Sequence, residues 1–383
     1  MPTSQTATSN NDHLNQDELE DEAIKLKGLK ISPATAKGDH YASVMFRVNV
    51  EFVNAKKQTR SISMVIKTMP EIDGFKKDML KETFIFETEI AMYTEVIPKF
   101  ESKLREIGDD TILSARCLYH GLSPNKFIVF EDIVPLGYSM LRDRHVNLAE
   151  AKVAFRKLAK WHAVSYKINQ EVSKKYFAKI IRGGIGNFTE MLQTQPSLVK
   201  YKRYFETMQP NFIDKCTASF KEYRADPQKD AHYVLCHGDF HYKNMMFKHN
   251  AKNQIEDIMF LDFQMCYVGP MVNDVIYAFY MVTDKHLRLH HKDELVHYYF
   301  SNFVLIKRNI FERLYCILVF FFLEIFLLVT FLPMWYALEE GTIEPNEMME
   351  SEECRKTFYL NKNYLAELEE CLPKYLHMGY LGN

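Results

Sequence analysis

The residues best placed to do chemistry lie in one stretch, 233–264, which reads YVLCHGDFHYKNMMFKHNAKNQIEDIMFLDFQ. An apolar run, Tyr233–Cys236, ends at His237-Gly238-Asp239, and Asn244 stands five residues beyond Asp239. A polar turn at His249–Gln254 reverses the chain, and Ile255–Leu261 returns to Asp262-Phe263-Gln264. A hairpin of that length brings Asp262 back beside Asn244, while Gly238 allows a tight backbone path next to Asp239. Two carboxylates and an amide at one end of a hairpin suit phosphoryl transfer. One carboxylate orients and deprotonates the attacking hydroxyl, while an amide and a second carboxylate hold Mg²⁺ on nucleotide phosphates. D-x-x-x-x-N alone occurs by chance at turns. H-G-D-x-x-x-x-N followed, after a hairpin, by apolar-D-F-Q is far more specific.

Such groups need a scaffold, and the hydrophobic periodicity supplies one. Residues 42–52 alternate, with Val44, Phe46, Val48, Val50 and Phe52 on one face, which predicts a half-buried strand. A polar turn (54–60) leads to a second strand, 61–68, which carries Lys67. Residues 79–97 switch to helical spacing, with Met79, Phe86, Ile90, Tyr93 and Ile97 on one stripe. Two further strands are expected around Ile112–Tyr119 and Phe127–Ile133, joined by Ser123-Pro124-Asn125. From Asn147, a natural N-cap, the pattern becomes mostly helical. Leu148, Ala151, Phe155, Leu158, His162 and Ser165 form the first buried stripe, and a histidine there reads as a satisfied core residue. Further helical patterns recur around 198–224, 272–282, 292–304, 308–332 and 362–376. The Glu-rich segment 339–353 reads as a solvated loop. The fold class is α+β: a small antiparallel β lobe with one helix, then a larger, mainly helical lobe with a β-hairpin.

In type, order and spacing these motifs resemble protein-kinase-like small-molecule kinases of the aminoglycoside and choline kinase type, most closely the ecdysteroid kinase-like (CHK kinase-like) family of insects. The landmarks span about 35 to 335. KGDHYASVMFRV (37–48) looks like the nucleotide-covering turn and first strand, and SMVIKT places Lys67. FETEIAMY (86–93) looks like the helix segment, FIVFEDI (127–133) like the hinge, and LAKWHAVSY (158–166) like the helix behind the catalytic loop. HGDFHYKN and FLDFQ look like the two active-site motifs.

The resemblance implies a two-lobed protein-kinase-like fold. It would have a disordered segment at 1–23, a nucleotide-binding lobe at 24–133 ending in the hinge, and a helical lobe at 134–383 with catalytic loop and acceptor cleft. It implies ATP and Mg²⁺ as cofactors, Asp239 as catalytic base, and Asn244 and Asp262 as Mg²⁺ ligands. Lys67 would grip the α/β phosphates and pair with a helix carboxylate. Glu87 and Glu89 flank the helix stripe on opposite sides, and the residues alone leave both open. The family's F-x-x-E-x-x-x-Y pattern fits Phe86, Glu89 and Tyr93, which selects Glu89. Gly38 and Ser43 would belong to the nucleotide turn, and Glu131 and Ile133 to the hinge, all four contacting nucleotide. Asp274 would brace the catalytic loop, with His237 and His162 as supporting residues. Two departures stand out. The nucleotide turn holds a single glycine, Gly38, and His241 and Lys243 occupy positions where relatives often carry Trp and Asn. R-G-G-I-G-N-F (182–188) lacks a phosphate-binding spacing and is expected as a loop on the acceptor side.

Composition narrows the alternatives. The chain has 383 residues, a net charge of −2, only 14 Gly, and no G-x-G-x-x-G or G-x-x-x-x-G-K-[ST]. No basic face points to nucleic acid. Seven cysteines without a C-x-x-C pair indicate neither a disulfide framework nor a zinc site and fit a reducing, cytoplasmic setting. The first 23 residues contain no apolar leader-like run. Leu314–Leu338 is interrupted by Glu324 and Pro333, so a buried helix is expected there, not a membrane span. The expectation is a monomer acting on a small-molecule hydroxyl, a steroid or xenobiotic alcohol, without nucleic-acid or membrane partners. Two readings compete. In one, His237, Asp239 and His241 bind Zn²⁺ or Mn²⁺ in a hydrolase. In the other, the chain is a catalytically inactive kinase-like protein that binds an apolar ligand.

Overall fold

The computed structural model describes residues 25–34, 43–54, 56–69, 85–123, 125–142, 144–166, 178–208, 233–306, 324–341, 351–377 and 381. Gly38 and the 1–23 segment lie outside the described residues. The architecture is two-lobed α+β, with a small β-rich lobe and a larger helical one, of the protein-kinase-like type.

Strands β1 (Lys25–Pro33), β2 (Val44–Val53), β3 (Thr59–Thr68), β4 (Cys117–Gly121) and β5 (Phe127–Glu131) form an antiparallel sheet in the order β1-β2-β3-β5-β4. The β2–β3 hairpin follows the expected alternation and pairs Met45 with Lys67. Strand β1 was not among the expected strands. Its register shifts between Leu26 and Gly28, so the period-2 pattern of Leu and Lys breaks mid-strand. Strand β4 starts at Cys117 instead of Ile112. The residues before it run extended toward the other lobe, where Leu113 accepts a backbone hydrogen bond from Phe260 (2.9 Å).

The helix of the small lobe comprises α1 (Ile85–Ala91), a π-turn at Met92–Val96, and α2 (Ile97–Arg105). Pro98 has no N–H to close an α-helical bond to Thr94, and the turn before it widens. Phe86, Ile90, Tyr93 and Ile97 are buried as their spacing predicts.

In the larger lobe, α3 (Leu148–Ser165) begins at Asn147 with a reciprocal capping box. Asn147 Oδ1 accepts from Glu150 N (3.0 Å), and Glu150 Oε2 accepts from Asn147 N (2.9 Å). Helix α4 (Ala178–Thr194) contains the whole R-G-G-I-G-N-F segment, which corrects the loop expectation. Glycine costs about 1 kcal/mol in a helix interior. Burial of Phe188, Met191 and Leu192 on the same helix outweighs that propensity.

Strands β8 (Met245–His249) and β9 (Ile255–Phe260) form the expected hairpin, joined by β6 (Tyr138–Ser139). Strand β7 (Tyr233–Cys236) pairs instead with β10 (Tyr267–Pro270). Gly269 sits in that strand, and a Cβ there would lie 2.6 Å from the Tyr267 ring. Helices α5 (Val272–Met281), α6 (Lys292–Ile306), α7 (Leu332–Glu339) and α8 (Lys362–His377) complete the core with residues 324–330.

Of the candidate span 314–338, the part before 324 lies outside the described residues. From 324 on it is core, and Glu324 there accepts from Tyr375 (2.7 Å) and pairs with Lys292. No helix among the described residues is long and apolar enough to cross a membrane. The Glu-rich 339–353 is in part ordered, since Glu339 ends α7 and Glu352–Thr357 is helical, while 342–350 lies outside the described residues.

Candidate active site

Strand β7 delivers the 237–244 loop, and helix α3 holds that strand in place. Trp161 Nε1 donates to Leu235 O (2.6 Å), and Ser165 Oγ accepts from Leu235 N (2.9 Å). At Gly238 the backbone turns with φ +79°, and a Cβ would lie 2.3 Å from the Met265 carbonyl oxygen, so only glycine fits. The β8–β9 register, Met245 opposite Phe260, closes the hairpin at its base, where Leu261 N donates to Asn244 O (2.9 Å). Asn244 and Asp262 thereby stand side by side. Asp262 adopts the left-handed conformation (φ 62°, ψ 61°), a strain of about 1–3 kcal/mol for a non-glycine residue.

The loop is fastened from below by one carboxylate. Asp274, in the first turn of α5, accepts from His237 N (2.5 Å), Gly238 N (3.0 Å) and His162 Nε2 (3.1 Å). Burial works to raise its carboxyl, but these donors outweigh burial and hold it below the usual carboxylate range. His162 is the buried, satisfied histidine that its stripe suggests, with its Nδ1 2.6 Å from the Tyr299 hydroxyl. His237 is also buried, donates from Nε2 to Leu261 O (3.0 Å), and has its pKa lowered by that burial.

Asp239 is gripped on both oxygens. Tyr277 donates to Oδ1 (2.8 Å), Asn244 Nδ2 to Oδ2 (3.2 Å), and His241 Nε2 stands 3.5 Å from Oδ2. Burial opposes its charge, yet His241, the Tyr277 hydroxyl and His237 more than offset it. The carboxyl is held well below its ordinary value.

From the small lobe, β3 brings Lys67 to the same place. Its ammonium lies 2.6 Å from Glu89 Oε2 and 2.7 Å from Asp262 Oδ1. Glu87 turns away to Lys126 (2.7 Å), so Glu89 is the carboxylate that meets Lys67. Burial works against the charge on Lys67, and Asp262 and Glu89 overcome it, raising its pKa. Burial pushes the Glu89 carboxyl up to about 7, against the pull of Lys67 and with the help of Asp262.

Between the lobes lies a cavity of about 420 Å³. Met45 and Val65 line it from the sheet, Met246 and Leu261 from the hairpin, Glu131 and Ile133 from the inter-lobe connection, and Lys67, Glu89 and Asp262 from its charged end. This is the size and apolar-with-few-polar-groups character of a small-ligand site. Ser43 is buried just before β2 but does not line the cavity. A second cavity of about 520 Å³ lies beyond Trp335 and Glu339 and takes in none of the residues around Asp239 or Lys67.

The oxygen donors of Asn244 and Asp262 suit a small, hard cation. Gln264 adds to that fit, because it donates to Asp262 Oδ2 (3.2 Å) while its own Oε1 is buried without a hydrogen-bond partner. The competing grouping of His237, Asp239 and His241 does not assemble, since His237 faces the Leu261 carbonyl. Among the described residues, the group with three-ligand metal spacing is His162, Cys236 and Asp274, and its histidine and carboxylate are already engaged by the loop-bracing bonds.

Tyr277 was missed in the sequence. Its signal was available in N-D-V-I-Y, where Asp274 and Tyr277 stand three apart on a helix and so share a face.

Comparison with known proteins supplies a family. The sequence profile described as the ecdysteroid kinase-like family matches residues 37–310. No curated protein matches the chain significantly. Among solved structures, the chain is similar to a microcompartment-associated aminopropanol kinase (12% identity, 94% of each chain covered, TM-score 0.47). It is also similar to a spectinomycin phosphotransferase in complex with ADP and spectinomycin (14% identity, 90% of this chain and 93% of that one, TM-score 0.42). A choline kinase from Cryptosporidium parvum Iowa II aligns as well (13% identity, 95% and 93%, TM-score 0.42).

Proposed function

The chain belongs to the ecdysteroid kinase-like family, and from that premise we propose that it is an ATP-dependent small-molecule kinase that phosphorylates a hydroxyl of a largely apolar acceptor, an ecdysteroid or other steroid or xenobiotic alcohol. The observation that carries the reading is that Lys67, paired with Glu89 in one lobe, meets Asp262 of the other, while Asn244, at the base of the same hairpin as Asp262, bonds Asp239.

In this reading the nucleotide would occupy the cavity lined by Val65 and Met246, and Lys67 would hold its phosphates. Mg²⁺, held by Asn244 and Asp262, would neutralise phosphate charge. Asp239 is ionised throughout the neutral range and accepts the proton of the acceptor hydroxyl as its oxygen attacks. Orientation and charge neutralisation supply most of the acceleration. The acceptor side is aromatic near the base. The Tyr277 and Phe331 rings lie 6.2 Å apart, and Trp335 packs 5.2 Å from His241. This aromatic surface supports a flat, largely apolar acceptor, although Lys243 over the Trp335 ring (5.2 Å) and His241 add polar groups beside it.

The test offers Mg·ATP and a panel of ecdysteroids and hydroxylated xenobiotics, with phosphorylated product read by mass spectrometry. Product that disappears in Asp239→Ala, while nucleotide binding persists, supports the kinase. Nucleotide or apolar-ligand binding with no product on any acceptor would favour the inactive binding protein instead.

A further inference from the structure

The residue that holds Asp239 from the helical side is Tyr277, and nothing in the motif assigns it a role. Its hydroxyl donates to Asp239 Oδ1 at 2.8 Å, the shortest of the three contacts that the carboxylate makes with neighbouring side chains. We propose that Tyr277 is a positioning residue for the phosphoryl-transfer base, fixing the rotation of the Asp239 carboxylate so that a lone pair faces the incoming acceptor hydroxyl. The proposal rests on the kinase reading above and deepens it.

Three observations converge. First, Asp274 and Tyr277 project from one face of α5, one turn apart. Asp274 fixes the loop backbone through His237 N and Gly238 N, while Tyr277 fixes the carboxylate that the same loop presents. A single rigid helix thus sets both the position and the rotation of the base.

Second, the other side-chain contacts are weaker restraints. The Asn244 amide is 3.2 Å away, and His241 is 3.5 Å away, beyond an ordinary N–H···O bond. Without Tyr277, rotation about the carboxylate's terminal torsion, which is broad and two-fold, would be opposed mainly by one long bond.

Third, each carboxylate oxygen has two lone-pair positions. One donor on Oδ1 therefore fixes the group without occupying all of its accepting capacity. The phenol is well suited to this, because burial first and then the adjacent Asp239 hold its pKa well above the ordinary value and keep it a donor. Tyr277 also packs against Phe331, so the group that orients the base is part of the aromatic wall beside it.

The test is Tyr277→Phe, which removes one oxygen and keeps the ring. The matched control is Tyr280→Phe on the same helix, whose hydroxyl meets Tyr375 (2.8 Å) in the core, away from the loop. Steady-state rates are measured with Mg·ATP and the best acceptor of the ecdysteroid and xenobiotic panel, together with slow ATP hydrolysis to water in the absence of acceptor. For Tyr277→Phe, kcat should fall about 10- to 100-fold, as expected for loss of a hydrogen bond to a charged group. KM for ATP should stay close to the parent's, any fall in melting temperature should be no larger than that of Tyr280→Phe, and ATP hydrolysis should fall in parallel with kcat. Tyr280→Phe should lower the melting temperature and leave kcat near the parent's. An unchanged kcat in Tyr277→Phe, or a fall matched by Tyr280→Phe, overturns the positioning role while the kinase reading stands. A parent protein inert toward every acceptor and toward water overturns both.

Discussion

Gly238 and Asp262 are two residues of the site whose backbones adopt conformations that most side chains avoid, the first immediately before the proposed base and the second at the Lys67 contact. At Gly238 the constraint is steric as well as torsional, because any Cβ meets the Met265 carbonyl at 2.3 Å. Gly238→Ala must displace either that carbonyl or the loop that carries Asp239. We expect a loss of stability of about 1–3 kcal/mol by denaturant unfolding, together with a drop in transfer rate of at least tenfold. A variant with parental stability and rate would show that the loop tolerates a second path. Asp262 bears its strain differently. Its left-handed backbone aims a carboxylate that Lys67 and Gln264 both contact, so the sequence accepts strain where the charge is needed.

The elements that hold the larger lobe together show where buried charge stabilises it. Arg288, on the short helix Lys285–His290, makes a two-pronged pair with Glu367 of α8 (2.7 and 2.8 Å), and Tyr336 of α7 donates to the same carboxylate (2.6 Å). Burial opposes the Glu367 charge, but Arg288 outweighs it, so the folded pKa lies below the unfolded value of about 4.3. This contribution is complete above about pH 4.3 and is lost as pH falls through the folded pKa. Arg288→Met leaves the carboxylate buried with a single tyrosine donor, at a cost of about 3–5 kcal/mol. The pH dependence should also reverse. The parent loses stability on acidification below about pH 4.3, whereas the variant gains stability as falling pH neutralises Glu367. Melting temperatures across pH 3–8 would reveal a variant that merely parallels the parent.

These elements were unequally legible in the sequence. The β2–β3 hairpin, the Asn147 cap and the 233–264 insert carry their signals within a few neighbouring residues, and the chain folds there as the periodicity predicts. Strand β1 was missed because its bulge at Gly28 breaks the alternation, and α4 because three glycines mask a helix stabilised by distant packing. Within the site, Asp239, Asn244 and Asp262 are close in sequence and could be read together. The choice between Glu87 and Glu89 depended on which face of α1 meets β3. The contact of Lys67 with Asp262 spans 195 residues and follows from no local pattern.

At the scale of the whole molecule, that last contact joins the lobes. Lys67 comes from the sheet, Glu89 from the helix behind it, and Asp262 from the hairpin of the other lobe, so one buried ammonium serves two carboxylates. One cation cannot satisfy both fully. Burial, with the charge of Asp262 added, lifts the Glu89 carboxyl to about 7 despite Lys67. A carboxyl raised in the fold binds protons that the unfolded chain releases. Glu89 therefore lowers stability progressively as pH rises from about 4.3 toward 7. A cation that takes the charge of Asp262 would change this balance, leaving Lys67 to Glu89 alone and lowering its pKa. If the proposed Mg²⁺ site is correct, binding of Mg²⁺ alone near pH 7, with no nucleotide phosphates to draw Lys67 away, must release a proton from Glu89. Calorimetry in buffers of different ionisation enthalpy measures that release, which should vanish in Glu89→Gln and diminish toward pH 9, where the carboxyl is already ionised. Proton uptake, or a release unaffected by Glu89→Gln, would mean that the ammonium is not shared between the lobes in this way. In that case Asp262 would have to be uncoupled from the Lys67–Glu89 pair before the cation arrives.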